Sequence, residues 1–472
     1  MRPILLLAVA ALSAQAQNAK QQITASIDAK FDAYRNVANQ IWGFAEVGYQ
    51  EKQSSALLQS ELTRAGFTVR TGVADMPTAF VAEYGSGKPV IGILAEFDAL
   101  PGLSQNVATE RSPIAGGNAG HACGHHLFGT ASLAAGIAAK EWLQRTGRSG
   151  TIRVYGTPAE EGGGGKIYMV RAGLFRDADV VLDWHPGSVN DASPGSSLAN
   201  KSGKFRFRGL SAHASGAPWR GRSALDAVEA MNHMVDMLRE HVPDGTRIHY
   251  VITDGGKAPN VVPDFAEAYY YVRHRDAKVV IDIWDRVAKV AEGAALGTET
   301  KMEQEVVNGV YALLPNETLA RVMDANLRAV GGVTYTAEER AFAERLQKTL
   351  GDHVPPVAQA GTIATFTSGT DAGGSTDVGD VSWVVPNAGL NAATWVPGTP
   401  AHSWQAVAAG GMSIGHKGMA VAAKTLALTV HDLMTDPSLI LKARAEFDQK
   451  RGPNFAYRPL IGERSPPLDY RK

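Results

Sequence analysis

Cysteine is almost absent from this chain of 472 residues, which contains a single one, Cys123. A disulfide bridge within the chain is therefore excluded. Aromatic residues make up only 7% of the chain, the formal net charge is −1, and no basic run is interleaved with aromatic residues. Proteins that bind nucleic acid through its phosphates ordinarily carry such a basic surface. We therefore expect small-molecule partners and no nucleic acid.

Long apolar runs are also scarce. The run near the start, from Ile4 to Leu12, is too short to span a bilayer. It follows Met1-Arg2-Pro3 and precedes Ala14-Gln15-Ala16, which is the order of charged, apolar and small residues in a secretory signal. We expect residues 1–16 to be such a signal and the protein to be periplasmic or secreted. Because the run is so short, no membrane anchor is expected, and because no cysteine follows it directly, no lipid anchor is expected either.

The lone cysteine lies among histidines, in the segment His121-Ala122-Cys123-Gly124-His125-His126. An exported protein ordinarily uses its cysteines in pairs, so metal ligation is the leading interpretation of an unpaired one. A small buried hydrophobic side chain beside surface histidines is the alternative. Because a single glycine separates Cys123 from His125, both side chains can turn toward one centre.

Strands and helices alternate through the first two hundred residues, which predicts an α/β sheet covered by helices on both faces. The predicted strands lie between Thr68 and Ala82, at Val90 to Leu94, at Thr151 to Tyr155 and at Val180 to Trp184. The predicted helices are Ala25 to Gly43, Gln53 to Ala65 and about Phe128 to Gln144. Sites in such sheets lie off the carboxyl ends of the strands. Asp98, Glu160, Glu161 and His185 all fall at such ends.

The pattern changes near residue 201 to strand-helix-strand-strand-helix-strand, the order of a ferredoxin-like module. A chain of this length exceeds one ordinary core, so we expect an inserted module at 201–310 between two parts of a catalytic domain, at 17–200 and 311–472. Mixed segments are predicted from Asn316 to Leu350, a loop rich in glycine and serine from Gly361 to Gly379, and helices after Ser403.

Carboxylates and imidazoles complete the candidate chemistry. In extended backbone the side chains of Glu160 and Glu161 would point apart, so one can bind metal while the other acts as a general base. A solvated acidic pair is the alternative. His185 and His402 could each be a core histidine when taken alone. Together with the Cys-Gly-His loop they form a set that suits a hydrolytic metal site.

From about residue 30 onward the chain resembles the aminoacylase and glutamate-carboxypeptidase family of binuclear metallopeptidases, in its amidohydrolase branch with a Cys-Gly-His loop. The matching stretches, in chain order, are Ala95 to Ser104, His121 to Gly129, Glu160-Glu161 with Lys166 to Gly173, Trp184-His185-Pro186, Ala212-His213-Ala214, Pro259 to Val262, Leu314-Pro315-Asn316, Ser375 to Trp383 and Pro397 to His402. So long an ordered series makes the resemblance specific.

The resemblance implies two divalent metal ions in each subunit. Cys123 would bridge them, His125 and His185 would complete one site, and Glu161 and His402 would complete the other. Thiolate and imidazole ligands suit zinc, while carboxylates also allow manganese.

The resemblance also implies roles for the surrounding residues. Glu160 would be the general base and acid, and Asp98 would orient the metal site from outside the ligand shell. Glu96 stands where carboxypeptidase relatives have a metal-binding histidine, and His125 would supply the missing ligand. His126 stands where this branch usually has asparagine or aspartate. An outer substitute for that residue and an extra metal ligand are both open, and no role is assigned.

The inserted module resembles the lid and dimerisation domain of the family. His213 and Asn260 would then polarise the scissile carbonyl and stabilise its oxyanion, while Arg273 would bind a substrate carboxylate. Taken alone, these residues are more often structural. We expect a homodimer, with a hetero-subunit as the alternative, and the lid histidine can act within or across subunits.

The resemblance implies a metallo-amidohydrolase that cleaves the amide bond between an acyl or aminobenzoyl group and an amino acid with a free carboxylate. Aminobenzoyl-glutamate and folate fragments lead the expected substrates, followed by dipeptides and other N-acyl amino acids. An aminoacylase or dipeptidase of the same fold is the first alternative. A non-catalytic exported binding protein for metal or ligand is the alternative of another class, but it would be expected to lack a ligand or the base.

Overall fold

The computed structural model describes residues 17–368, 370–371 and 374–471, so the predicted signal at 1–16 lies outside the described residues. The helices are α1 (17–29), α2 (Phe31–Phe44), α3 (Lys52–Arg64), α4 (His125–Thr146), α5 (Gly165–Arg171), α6 (Ala224–Leu238), α7 (Ala277–Gly297), α8 (Glu317–Val330), α9 (Ala337–Gln347), α10 (Val378–Ser382), α11 (Trp404–Gly410), α12 (Ser413–Thr435) and α13 (Pro437–Arg451). None of these described helices is both long and apolar enough to cross a bilayer.

The strands form two main sheets and two short pairs. They are β1 (Thr68–Thr71), β2 (Phe80–Ser86), β3 (Val90–Ala95), β4 (Leu100–Pro101), β5 (Ala119–Gly120), β6 (Gly150–Gly156), β7 (Val180–Gly187), β8 (Gly195–Ser196), β9 (Ala199–Arg208), β10 (Arg247–Asp254), β11 (Phe265–His274), β12 (Lys301–Val310), β13 (Thr370–Asp371) and β14 (Asn387–Ala393).

The first sheet is mixed and has the order β1-β2-β6-β3-β7-β14. Strands β6, β3, β7 and β14 run parallel, while β2 is antiparallel to both β1 and β6. Strand β3 is buried throughout, as expected of a parallel strand covered on both faces. The carboxyl ends of the four parallel strands therefore meet at one edge of the sheet. Helix α4, which is buried along most of its length, packs against β3, β6 and β7.

The second sheet is antiparallel and has the order β10-β11-β9-β12. Counted within this module, the order is 2-3-1-4, the ferredoxin-like arrangement, with α6 and α7 packed against β9 and β11. Alternate residues of β11, such as Ala268 and Tyr270, enter the module's own core. The predicted fold class is thus confirmed. The domain boundaries at residues 200/201 and 310/311 stay a prediction, although these strands run from Ala199 to Val310.

Three segments differ from the expectation. The predicted strand region between Thr68 and Ala82 is divided by a 3-10 turn at Val73–Asp75, after Gly72 in the left-handed region. The region from 316 to 350 contains two helices and no strand. The sequence pattern predicts that the chain closes in helices, but α13 ends at Arg451. The next residue, Gly452, has a φ of +82°, and Pro453 cannot continue a helix. Residues 452–471, called the C-terminal tail below, are irregular.

Candidate metal centre

The residues at and after the carboxyl ends of the four parallel strands lie at the same edge of the first sheet. Each of the four contributes to the centre. The residues are Glu96 and Asp98 after β3, Glu160 and Glu161 after β6, His185 near the carboxyl end of β7, and His402 after β14. Polar groups from distant parts of the chain thereby come together because the strands are parallel neighbours.

The Cys-Gly-His loop depends on its glycine. Gly124 precedes α4 with φ at +78°, a conformation that residues with a Cβ rarely adopt. A Cβ at this position would also lie 2.6 Å from the Cβ of Pro186. The loop can therefore approach β7 closely, and the Sγ of Cys123 lies 3.4 Å from Nε2 of His185.

Two groups of potential ligands share the cysteine. Cys123, His125 and His185 form the first, and Cys123, Glu161 and His402 form the second; within each group the ligand atoms lie within 4.8 Å of one another. These are the two sets that the family resemblance implies. The structure brings all five side chains together, while their role as ligands stays a prediction.

The two inner histidines are oriented as ligating imidazoles commonly are. Nδ1 of His185 donates a hydrogen bond to the carbonyl of Pro186 at 2.7 Å, which leaves the lone pair on Nε2 facing Cys123. Burial lowers the pKa of His185 to about 4, so its imidazole is neutral at neutral pH. Nδ1 of His125 lies 2.8 Å from Oδ1 of Asp98, again leaving Nε2 available. Such outer partners fix the tautomer and orientation of metal-binding histidines.

Several buried atoms fit a divalent cation. Nε2 of His125 and Oε2 of Glu96 are buried 3.1 Å apart, and Oε1 of Glu161 is buried 3.2 Å from Nε2 of His402. Apart from these close contacts, none of the three buried atoms has a hydrogen-bond partner among the described residues. Burial raises the pKa of the Cys123 thiol, whereas a coordinated cation would remove its proton. Sulfur, imidazole nitrogen and carboxylate oxygen are the donors that zinc accepts. The residues present therefore fit a metal centre.

His402 forms the side of the centre that faces solvent. Its φ is +59°, and its backbone N–H donates to the carbonyl of Ala122 at 3.0 Å, which ties this loop to the cysteine loop. Nε2 lies 3.2 Å from Oε1 of Glu161, and the side chain is 54% exposed. Water and substrate can therefore approach the second ligand group.

The Glu160-Glu161 pair lies in a turn, so the expectation of an extended backbone is wrong. The preceding Ala159 has φ at +57°, and its N–H donates to Oε1 of Glu51 at 2.8 Å. The two carboxylates still diverge, because Glu161 joins the second ligand group while Glu160 lies near Glu96 and His125. Burial raises the pKa of Glu160, and the charges of Glu96 and Glu161 add to that rise.

A buried ion-pair network beneath the centre is a feature that the sequence pattern does not predict. Nζ of Lys166 lies 2.7 Å from Oε1 of Glu96 and 2.7 Å from Oδ1 of Asp377, and all three side chains are at most 2% exposed. Asp377 also accepts the backbone N–H of Lys166 at 2.9 Å. Glu96 therefore has a buried cation of its own. Lys166 begins one matching stretch, but the sequence does not reveal its partners.

Replacing Lys166 with methionine should lower the free energy of unfolding by about 3–5 kcal/mol, because two buried carboxylates would lose their cation. Urea denaturation of the metal-free protein measures this. Arg208→Met is the matched control, since it removes the exposed ion pair with Glu303 and should cost at most about 1 kcal/mol. A similar loss in both variants would contradict a role for the buried network.

The lid residues are not brought to the centre within one chain. His213 is exposed, and its Nδ1 accepts the N–H of Gly216 at 3.1 Å. Asn260 is exposed on the adjoining loop, and Arg273 lies on β11 with its guanidinium 5.2 Å from the ring of Tyr271. His126 is buried, with Nε2 3.0 Å from the carbonyl of Gly410, and it joins neither ligand group.

The chain matches known proteins over most of its length. Residues 199–299 match the model of a peptidase dimerisation domain. The chain is 42% identical to one of the subunits of p-aminobenzoyl-glutamate hydrolase from Escherichia coli (strain K12), over 90% of this chain and 94% of that protein. It is 28% identical to an Xaa-Arg dipeptidase of Mus musculus, over 93% of this chain and 94% of that one.

A similar fold occurs in a dinuclear metal binding peptidase of the M20 family from Bacillus subtilis. The match covers 87% of this chain and 100% of that one, with 17% identity and a TM-score of 0.58. The identity to the hydrolase subunit, extending over nearly all of both chains, confirms the resemblance inferred from the motifs. The chain therefore belongs to the M20 family of metallopeptidases and hydrolyses linear amide bonds.

Proposed function

We propose that this amidohydrolase uses two divalent metal ions, zinc or manganese, to cleave N-acyl and aminobenzoyl amino acids. One observation carries the proposal: two groups of three potential ligands share Cys123, and Glu160 lies beside them without belonging to either. A closely spaced metal pair requires a bridging ligand, and a shared thiolate can supply one. When bound, such a pair would acidify the attacking water and polarise the amide carbonyl.

Glu160 moves the proton in this proposal. Its carboxylate takes a proton from the attacking water and later gives one to the leaving amine. The raised pKa of Glu160 suits a group that both takes and gives a proton. A carboxyl group with an ordinary pKa would be a weak base toward water and would hold no proton to give at neutral pH. Asp98 holds His125 through Nδ1 and also accepts the N–H of Glu161 at 3.0 Å, so it orients one residue from each ligand group.

A cavity next to the centre can receive the acyl side of the substrate. It has a volume of about 440 Å³, and His185 and Glu96 lie among its lining residues. Phe128, Trp184 and Leu390 are among its apolar lining residues, which suits an aromatic group. By analogy with the hydrolase relative, p-aminobenzoyl-glutamate is the leading substrate. Arg273 remains the candidate for its carboxylate.

Dipeptides with a basic residue are the second candidate substrates. Asp183 and Asp191 line the same cavity, and no lysine or arginine is found among its described lining residues. An acidic wall favours a cationic group over an anionic one. The similarity to an Xaa-Arg dipeptidase supports this alternative.

Turnover by the purified protein, reconstituted with zinc or manganese, tests both candidates. The panel should contain p-aminobenzoyl-glutamate, other N-acyl amino acids, and dipeptides ending in arginine or glutamate. We expect hydrolysis of p-aminobenzoyl-glutamate and none by Glu160→Ala. Hydrolysis confined to arginine dipeptides would select the second candidate, and no turnover of any amide would contradict the proposal.

The proposal includes a homodimer in which His213 serves the centre of the partner subunit. His213 is exposed, and the hydrogen bonds of its imidazole are to Ser215 and Gly216 of its own loop. That loop carries exposed apolar side chains at Leu210 and Trp219, and the segment paired with it carries another at Val261. The match to a peptidase dimerisation domain supports an oligomer. The hydrolase relative is one of two named kinds of subunit, so a second kind of chain is the alternative partner.

Mixing two inactive variants tests this arrangement. Glu160→Gln and His213→Ala should each be inactive as homodimers. In a two-fold dimer with sites shared between subunits, random mixing restores about one quarter of the sites. We therefore expect about 25% of wild-type activity after the subunits are exchanged. If mixed dimers form but stay inactive, His213 does not act across the interface.

We also propose that the protein is exported. The charged, apolar and small-residue order of residues 1–16 supports this. Cell fractionation with the full chain tests it, because export predicts a shortened protein that begins near Gln17 in the periplasm or the medium.

A further inference from the structure

The Glu160-Glu161 turn is held at its backbone from several directions. Ala159 is in the left-handed region, which a residue with a Cβ adopts only when its surroundings enforce it. The N–H groups of Ala159 and Glu161 donate to Glu51 and Asp98, respectively. The carbonyl of Gly163 accepts a hydrogen bond from the hydroxyl of Tyr49 at 2.9 Å. The remaining anchor comes from the far end of the chain.

The C-terminal tail is fixed along its path to this turn. The hydroxyl of Tyr457 donates to Oδ1 of Asp380 at 2.7 Å. Farther along, Nη1 of Arg464 donates to the carbonyl of Val307 at 2.7 Å, near the end of β12. The tail thus passes the root of the inserted module before it reaches the centre.

The end of the tail is attached on the α2–α3 side of the centre. The carbonyl of Leu468 accepts a hydrogen bond from Nε2 of Gln50 at 2.7 Å. The ring of Tyr470 packs edge-on against Tyr49, with the ring centroids 5.7 Å apart. A Cβ at Gly48 would lie 2.3 Å from the hydroxyl oxygen of Tyr470, so the absence of a side chain there makes room for the tail.

The last two residues before Lys472 contact the turn itself. The hydroxyl of Tyr470 donates to the carbonyl of Glu161 at 3.2 Å. Nη2 of Arg471 donates to the same oxygen. The peptide groups of Glu161 are therefore fixed on both sides, with the N–H on Asp98 and the carbonyl on the tail.

We infer that Tyr470 and Arg471 are positioning residues for the Glu160-Glu161 turn. The inference rests on the proposed function, since it is through these two carboxylates that the tail would affect metal binding and proton transfer. Without the tail contacts the carbonyl of Glu161 would lose both of its side-chain donors, and of the two peptide groups of Glu161 only the N–H would stay fixed, on Asp98. Misplacing a reacting group by about 1 Å can cost on the order of 100-fold in rate.

The test compares Tyr470→Phe, Arg471→Gln and the double variant with wild type. Three quantities are measured: zinc affinity by competition with a chelator, kcat and KM on the best amide substrate, and the Tm of the metal-free protein. Loss of an outer partner of a metal ligand commonly costs about 10–100-fold in affinity or activity. We expect a loss of that size in zinc affinity and kcat for the double variant, with KM and Tm nearly unchanged.

Two further variants test whether the effect comes from the contacts of the tail. Arg471→Lys keeps a donor and a positive charge, so it should retain much of the zinc affinity that Arg471→Gln loses. Asp469→Asn is the matched control, because Asp469 is exposed in the same segment and its replacement should change none of the three quantities.

The outcomes separate this inference from the proposed function. Turnover by the wild-type protein tests the proposed function. The difference in zinc affinity and kcat between wild type and the double variant tests the role of the tail. Equal zinc affinity and kcat in both proteins would overturn the inference even if wild type is an efficient amidohydrolase. A loss of Tm alone, with unchanged kcat per folded molecule, would also overturn it. A fall in zinc affinity would support the tail's role even if the assayed amides prove to be the wrong substrates.

Discussion

Glu160→Gln should lower kcat by about 10²–10⁴-fold, the range that a positioned general acid-base group contributes. The amide has nearly the same shape as the carboxylate but can neither accept the proton of the attacking water nor return it to the leaving amine. Metal content should stay close to that of wild type, because Glu160 belongs to neither ligand group that contains Cys123. The measurements are steady-state kinetics and metal analysis of the same preparation.

The adjacent glutamate supplies the matched control. Glu161→Gln removes a carboxylate from the second ligand group, so activity should fall together with metal content. Both residues lie in the same turn and receive the same substitution, so a difference in metal content separates the base from a ligand. If Glu160→Gln loses metal as readily as Glu161→Gln, Glu160 is itself a ligand, through its group with Glu96 and His125.

The environment of Glu160 gives the physical reason for assigning it the proton. Its burial disfavours the charged form, and the carboxylates of Glu96 and Glu161 act in the same direction. The negative charge of Glu96 is in turn offset by Lys166, which also pairs with Asp377. Lys166 therefore neutralises the carboxylates of Glu96 and Asp377. Glu160 is left as the carboxyl group that can carry the proton.

The location of the main residues could be predicted from the sequence for a simple reason. Apolar strands with intervening helices predict a parallel arrangement, and residues that follow parallel strands meet at one edge. Asp98, Glu161 and His185 lie where this rule puts them. The Cys-Gly-His spacing predicts that Cys123 and His125 face the same centre. A glycine between two ligands permits a sharp turn, and the structure contains that turn at Gly124.

Other features depend on contacts that no local pattern encodes. Lys166 and Asp377 are 211 residues apart, and their pairing arises only when α5 and α10 pack together. The left-handed Ala159 is not a residue from which a special conformation would be expected. The irregular tail after Arg451 has a local signal, since Gly452 and Pro453 end α13, but the path of the tail to the centre depends on its contacts with distant residues.

The inserted module shows a second kind of feature that the sequence does not predict. The strand order of the module follows from its sequence pattern, but the surroundings of His213, Asn260 and Arg273 do not. The structure of a single chain leaves His213 and Asn260 exposed. If their partner is a second chain, no pattern within one sequence could have revealed the contact.

Cys123→Ser should remove most of the metal while the protein stays folded. A hydroxyl is far less acidic than a thiol and is not among the donors that zinc ordinarily takes from proteins, so serine is a poor replacement for a thiolate that bridges two cations. Losing only an outer partner of a ligand already costs about 10–100-fold in metal affinity, so losing the shared ligand itself should cost each ion at least about that much. The metal-free Tm should change little, because the side chains have nearly the same shape and volume. Chelator competition and thermal denaturation measure the two quantities.

Cys123→Asp is the informative companion to the serine variant. A carboxylate is anionic at neutral pH and has two oxygens, so it can bridge a metal pair where a hydroxyl cannot. We expect this variant to bind more metal than Cys123→Ser and to recover part of the activity. Normal metal content in the serine variant would instead return Cys123 to the role of a small buried side chain. In that case the two ligand groups, which have only Cys123 in common, would have to act independently.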